Sequence, residues 1–136
     1  STPSSAPLPR LDGLSILLVD DDADSLQMVA ALLEGQGASI AMAKNAAEAL
    51  ELAVARRYDV IVSDIGMPGR DGYELMKECR ARGVTSPAVA LTAYARSEDR
   101  TKALSSGYQS HVAKPVDAAE LLATVSALTR RMPAPR

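Results

Sequence analysis

The stretch Tyr58-Asp59-Val60-Ile61-Val62-Ser63-Asp64, followed by Ile65-Gly66-Met67-Pro68-Gly69-Arg70, decides the architecture. Its apolar centre, Val60-Ile61-Val62, is short, β-branched and uninterrupted, which is how a strand covered on both faces of a sheet reads. Pro68 and Gly69 then stop it with turn chemistry. One carboxylate, Asp64, thus stands where a central strand hands the chain to a loop. Ligands of open parallel sheets bind beyond such strand ends. An Asp leaving a strand also starts turns, so the rest of the chain has to decide.

Working outward, strands and helices alternate. Ser15-Ile16-Leu17-Leu18-Val19 is an apolar strand running into Asp20-Asp21-Asp22. Leu26, Val29, Ala30 and Leu33 then recur at helical spacing, with Gly35 and Gly37 as stops. Residues 39–43 form a weaker strand. Asn45 with Glu48, Asp71 with Glu74, and Asp117 with Glu120 have capping-box spacing and open three further helices. Pro87 to Leu91 is the fourth strand, ending at Thr92. A helix over residues 97–106 stops at Gly107, and Gln109 to Ala113 is the fifth strand, ending at Lys114-Pro115. Five strands, each followed by a helix, predict an α/β fold with a parallel sheet between helical layers. No glycine-rich phosphate loop follows the first strand. The expected strand order is therefore the flavodoxin-like 2-1-3-4-5, a three-layer sandwich.

The 136 residues suffice for one domain. Residues 1–12, rich in Pro and Ser, read as a linker, residues 13–131 as the folded domain, and residues 132–136 as a tail. With 47% hydrophobic and 24% charged residues the chain reads as globular. A net charge of −2 and scattered Lys and Arg argue against direct nucleic-acid binding. Cys79 is the sole cysteine, so neither an intrachain disulfide nor a cysteine metal cluster is expected, and a reducing, cytoplasmic setting fits. No apolar run approaches membrane-spanning length, so no membrane segment is expected in this chain.

In the expected strand order, four strand ends lie side by side and carry Asp20 and Asp21, Asp64, Thr92, and Lys114. Three carboxylates in one crevice repel; at about 4 Å and an effective dielectric near 20, each pair costs on the order of 4 kcal/mol. A hard divalent cation with oxygen ligands relieves this, and Mg²⁺ suits a site with few carboxylates. Three carboxylates, one Mg²⁺ and the Lys114 ammonium together are neutral. Such a site has cations ready for a phosphoryl group, and Thr92 can donate to one of its oxygens. Asp64 then fits as a nucleophile. Each residue has an ordinary reading too: Asp22 as an N-cap, Thr92 as a β-former, Lys114 as a solvated charge before a turn. Four converging strand ends outweigh those separate readings.

Val19-Asp20-Asp21, Asp64 with Met67-Pro68 and Asp71-Gly72, Leu91-Thr92-Ala93, and Lys114-Pro115 together resemble the receiver domain of two-component response regulators. The resemblance runs from about Leu14 to Leu128. It implies that Asp64 accepts a phosphoryl group from a phosphohistidine of a histidine kinase or histidine phosphotransfer domain. It implies Mg²⁺ held by Asp21, Asp64 and the Gly66 backbone carbonyl, with Asp20 acting through a water. It implies that Lys114 pairs with the phosphoryl oxygens and that its peptide bond to Pro115 is cis, where an ordinary trans proline ending a strand is the alternative. Thr92 and His111 would form a conformational switch, although His111 also reads as a partly buried polar ring on an edge strand. Gly66 and Tyr94 depart from common members and flank the path of an attacking water.

The resulting expectation is a signalling switch that catalyses only its own phosphoryl acceptance and slow dephosphorylation. Its effector would dock on the face between Ser97 and Leu128. A receiver of a hybrid sensor histidine kinase is the expected context, with a single-domain regulator as the alternative. A Mg²⁺-dependent phosphatase with an Asp nucleophile is a second reading, but it needs a general acid where Gly66 stands. A flavin or nucleotide module is a third, opposed by the three acids after the first strand.

Overall fold

The computed structural model describes residues 8–93 and 96–130. Its elements alternate strand and helix throughout. They are β1 (Ser15–Val19), α1 (Ala23–Gly35), β2 (Ser39–Ala43), α2 (Ala46–Ala55), β3 (Val60–Asp64), α3 (Gly72–Ala81), β4 (Ala88–Thr92), α4 (Ser97–Ser106), β5 (Ser110–Ala113) and α5 (Ala118–Arg130). The sheet order is β2-β1-β3-β4-β5, and every pairing is parallel. This is the expected flavodoxin-like order.

Strand burial follows position in the sheet. Every residue of the central strands β3 and β4 is buried, whereas the edge strand β2 shows only Ala43 fully covered. Period-two alternation divides the core between two faces. Ile16, Leu18, Val60, Val62, Val89 and Leu91 pack under α1 and α5. Leu17, Val19, Ile61, Ala88 and Ala90 pack under α2, α3 and α4.

Helix ends show why the chain turns where it does. Asp22 caps α1 by accepting from the Asp24 N–H at 3.2 Å. Asp71 and Glu74 form a complete capping box on α3. Asn45 accepts from the Glu48 N–H at 2.8 Å, but the Glu48 carboxylate reaches back one residue further, to the Lys44 N–H. Asp117 accepts from the Glu120 N–H at 2.9 Å. Gly107 ends α4 with φ +114°, a conformation that disfavours any residue carrying a Cβ.

The N-terminal boundary needs correcting. Leu11, assigned above to a linker over residues 1–12, is 1% exposed and sits in the core beneath α1 and α5. Its N–H donates to the Gln36 carbonyl at 2.7 Å, and the Gln36 amide in turn donates to the Pro9 carbonyl at 2.9 Å. The folded unit therefore includes residues just before position 13. The tail over residues 132–136 and Tyr94 lie outside the described residues.

Candidate functional site at the strand ends

Two strand ends deliver the acids. Val19 ends β1 fully buried, and the next N–H, from Asp20, still donates to the Ala43 carbonyl of β2 at 3.1 Å. Because Asp22 caps α1, Asp20 and Asp21 are held between a strand end and a helix start. Asp20 is turned inward and 1% exposed, while Asp21 is exposed. Asp64 is the last residue of β3 and 6% exposed. One carboxylate oxygen from each of Asp20, Asp21 and Asp64 can be chosen so that all lie within 4.8 Å of one another.

The opposing cation comes from the end of β5. The Lys114 N–H donates to the Thr92 carbonyl at 2.8 Å, extending the β4–β5 pairing by one residue. Its ammonium lies 3.0 Å from Asp64 Oδ1 and 3.6 Å from Asp20 Oδ2. The Lys114–Pro115 bond is cis. Burial pulls the Lys114 ammonium down, but the hydrogen bond and charge of Asp64, with Asp20 behind them, outweigh burial and hold it above the ordinary lysine value.

Asp20 carries the electrostatic tension. Burial pushes its carboxyl above the usual carboxylate range; the Asp22 N–H and Lys114 oppose the rise, and the charges of Asp64 and Asp21 add to it. Its Oδ1 accepts from the Asp22 N–H at 2.9 Å. Its Oδ2 is buried without a hydrogen-bond partner, since 3.6 Å to Lys114 is close enough for charge attraction but too long for a hydrogen bond. An orphaned buried carboxylate oxygen beside two further acids is a donor set that fits a hard divalent cation such as Mg²⁺.

The remaining expected residues surround this cluster. Thr92, 7% exposed, ends β4 on the face it shares with Ala90 and Ala88. His111 is the register partner of Ala90, so it lies on that same face of the sheet, half-buried on the edge strand. Gly66 is exposed in the loop after β3. Three further residues take part, of which only Gly72, in the Asp71-Gly72 pair quoted above, belongs to a motif of the sequence. The Ser63 hydroxyl donates to the Asp64 carbonyl at 3.0 Å. Gly72 packs so tightly that a Cβ there would come within 2.6 Å of the Asp64 carbonyl oxygen. Tyr108, 2% exposed, donates its hydroxyl to the Gly72 carbonyl at 2.8 Å.

Comparison with known proteins agrees with this geometry. Residues 16–126 match the profile of the response regulator receiver domain. The chain is 46% identical over 114 residues to a 14.6 kDa protein encoded in the sodA1 3' region of Leptolyngbya boryana, covering 82% of this chain and 87% of that one. It is 35% identical to the transcriptional regulatory protein ZraR of Escherichia coli O157:H7 over 84% of this chain, and it spans only 26% of ZraR. The receiver domain of the Francisella response regulator 1452 superposes with a TM-score of 0.84 at 32% identity, covering 89% of this chain and all of that one. A two-component response regulator from Clostridium difficile gives 0.83 at 34% identity, covering 89% and 99%. With the strand order, the converging strand ends and these matches in agreement, the chain belongs to the response regulator receiver domain family.

Proposed function

We propose that this domain accepts a phosphoryl group on Asp64 from the phosphohistidine of a histidine kinase or histidine phosphotransfer domain. The observation that carries the reading is the Lys114 ammonium 3.0 Å from Asp64 Oδ1, beside a cluster of three carboxylates. In the transfer an Asp64 carboxylate oxygen attacks phosphorus, an O–P bond forms, and the P–N bond breaks with its electrons leaving on the donor imidazole. Lys114 and the Thr92 hydroxyl receive the phosphoryl oxygens. Asp21, Asp64 and the Gly66 carbonyl would hold Mg²⁺, with Asp20 acting through a water. When bound, the cation supplies positive charge that offsets the acids and the incoming phosphoryl oxygens.

The domain works as a switch. Phosphoryl oxygens that bind Thr92 and Lys114 better in one conformation shift the population toward it, with His111 beside Thr92 on the same face of the sheet. The face formed by α4, β5 and α5 meets the effector, and the expected compartment is the cytoplasm, where such kinases present their phosphohistidines. Turnover as a phosphatase is disfavoured, because Gly66 offers no side chain two residues after Asp64 to act as general acid. Intact-mass measurement after incubation with acetyl phosphate and Mg²⁺ tests the assignment. The native chain gains one phosphoryl group and Asp64→Asn gains none; equal labelling of both would remove Asp64 from the role.

A further inference from the structure

We propose that Tyr108 is a positioning residue for the phosphoryl-accepting site, holding through Gly72 the segment that carries Asp64 and Gly66. The inference rests on the roles given to Asp64 and Gly66 above. Tyr108 follows the glycine that ends α4 and precedes β5, where a turn residue facing solvent is ordinary, yet it is 2% exposed. Its ring lies in the buried core under α2, α3 and α4, which also holds Tyr73, Met76 and Ala103. Its hydroxyl donates to the Gly72 carbonyl, 36 residues away, at 2.8 Å.

Gly72 is the first residue of α3 and is gripped from both sides. Its N–H donates to the Ile65 carbonyl at 2.9 Å, and that same carbonyl also accepts from the Met67 N–H at 3.0 Å. The backbone of Asp64 and Ile65 lies so close that a side chain at position 72 would meet it at 2.6 and 2.8 Å. The loop bearing Gly66 is thus pinned at its start by β3 and at its end by Gly72, and Gly72 is itself held by Tyr108. A buried hydroxyl that bonds one carbonyl fixes a backbone position at a site where water cannot take its place. Partners of this kind orient the groups that hold a metal without touching it.

If Tyr108 only fills the core, its hydroxyl has no bearing on the cation. Tyr108→Phe keeps the ring and removes the hydroxyl. Ser86→Ala serves as the control, because Ser86 also donates a buried hydroxyl to a carbonyl, that of Tyr58 at 2.6 Å, at the opposite end of the sheet. Mg²⁺ is titrated into each protein and followed by the amide chemical shifts of Gly66 and Gly72. Tyr108→Phe should raise the Mg²⁺ midpoint about threefold to tenfold, the scale of one lost hydrogen bond, while Ser86→Ala stays within about twofold of wild type. A Tyr108→Phe midpoint within about twofold of wild type, or an equal shift in Ser86→Ala, overturns the inference. A wild-type protein whose Gly66 and Gly72 amides ignore Mg²⁺ overturns the reading of the site itself, and the positioning role with it.

Discussion

Asp20 is the residue whose environment most needs a cation. Its side chain is buried, one oxygen has no hydrogen-bond partner, and burial holds its carboxyl above the usual range. A raised acid means that, between the ordinary and the folded value, the native state holds a proton the unfolded chain has released. Stability therefore falls as pH rises through that window. At neutral pH the ionised Asp20 works against the metal-free fold. Asp20→Asn keeps an oxygen for the Asp22 N–H and removes the charge. In EDTA it is expected to melt at a higher temperature than wild type at neutral pH, with the gap closing as pH falls to about 4. Thermal unfolding across pH checks this, and a neutral-pH Tm at or below wild type would contradict it. The acids were legible in the sequence as an excess of carboxylates at strand ends. Which of the adjacent pair turns inward was not, because burial at a strand end depends on the packing of β2 and α1 around it.

Elements carry the next level of the argument, and α3 shows it best. Its capping box fixes where the helix starts, and its first residue is a glycine pressed against the Asp64 backbone. The spacing of Asp71 and Glu74 announced the helix start, since a cap is a local pattern. Gly72 stood in the sequence as part of the Asp71-Gly72 pair, but the reason for a glycine there was hidden, because it arises from the approach of a helix to a strand end rather than from a turn or a positive φ. The same holds for the Tyr108 hydroxyl, whose partner lies in another element. Gly72→Ala puts a methyl against backbone atoms that cannot rotate away. It should cost about 1–3 kcal/mol in urea unfolding, the usual range for overpacking. It should also slow phosphorylation by acetyl phosphate, since the strain is relieved by moving Asp64 or Ile65. Near-native stability together with a near-native rate would mean that the helix slides away without consequence for the site.

At the scale of the whole molecule, the fold is two cores sharing one sheet, one beneath α1 and α5 and the other beneath α2, α3 and α4. The strand order followed from the alternation of strands and helices, because right-handed crossovers leave few alternatives for five parallel strands. Leu11 escaped that reasoning, since Leu8, Leu11 and Leu14 stand among prolines, a glycine and charged residues that fit neither a helix nor a strand pattern. Its burial comes from the α1–β2 turn, where Gln36 offers its carbonyl to the Leu11 N–H. The segment before β1 is therefore part of the core under α1 and α5, and its removal should be felt by the entire domain. Leu11→Ala should lower the unfolding free energy by about 2–4 kcal/mol, as truncation of a buried leucine does. Leu8, 43% exposed three residues earlier, provides the comparison. Leu8→Ala should stay within about 0.5 kcal/mol of wild type. A domain is only marginally stable, about 5–15 kcal/mol, so the first loss is plain in urea denaturation at unchanged m-value. Matching midpoints for the two variants would return Leu11 to the linker and put the start of the cooperative unit at residue 13.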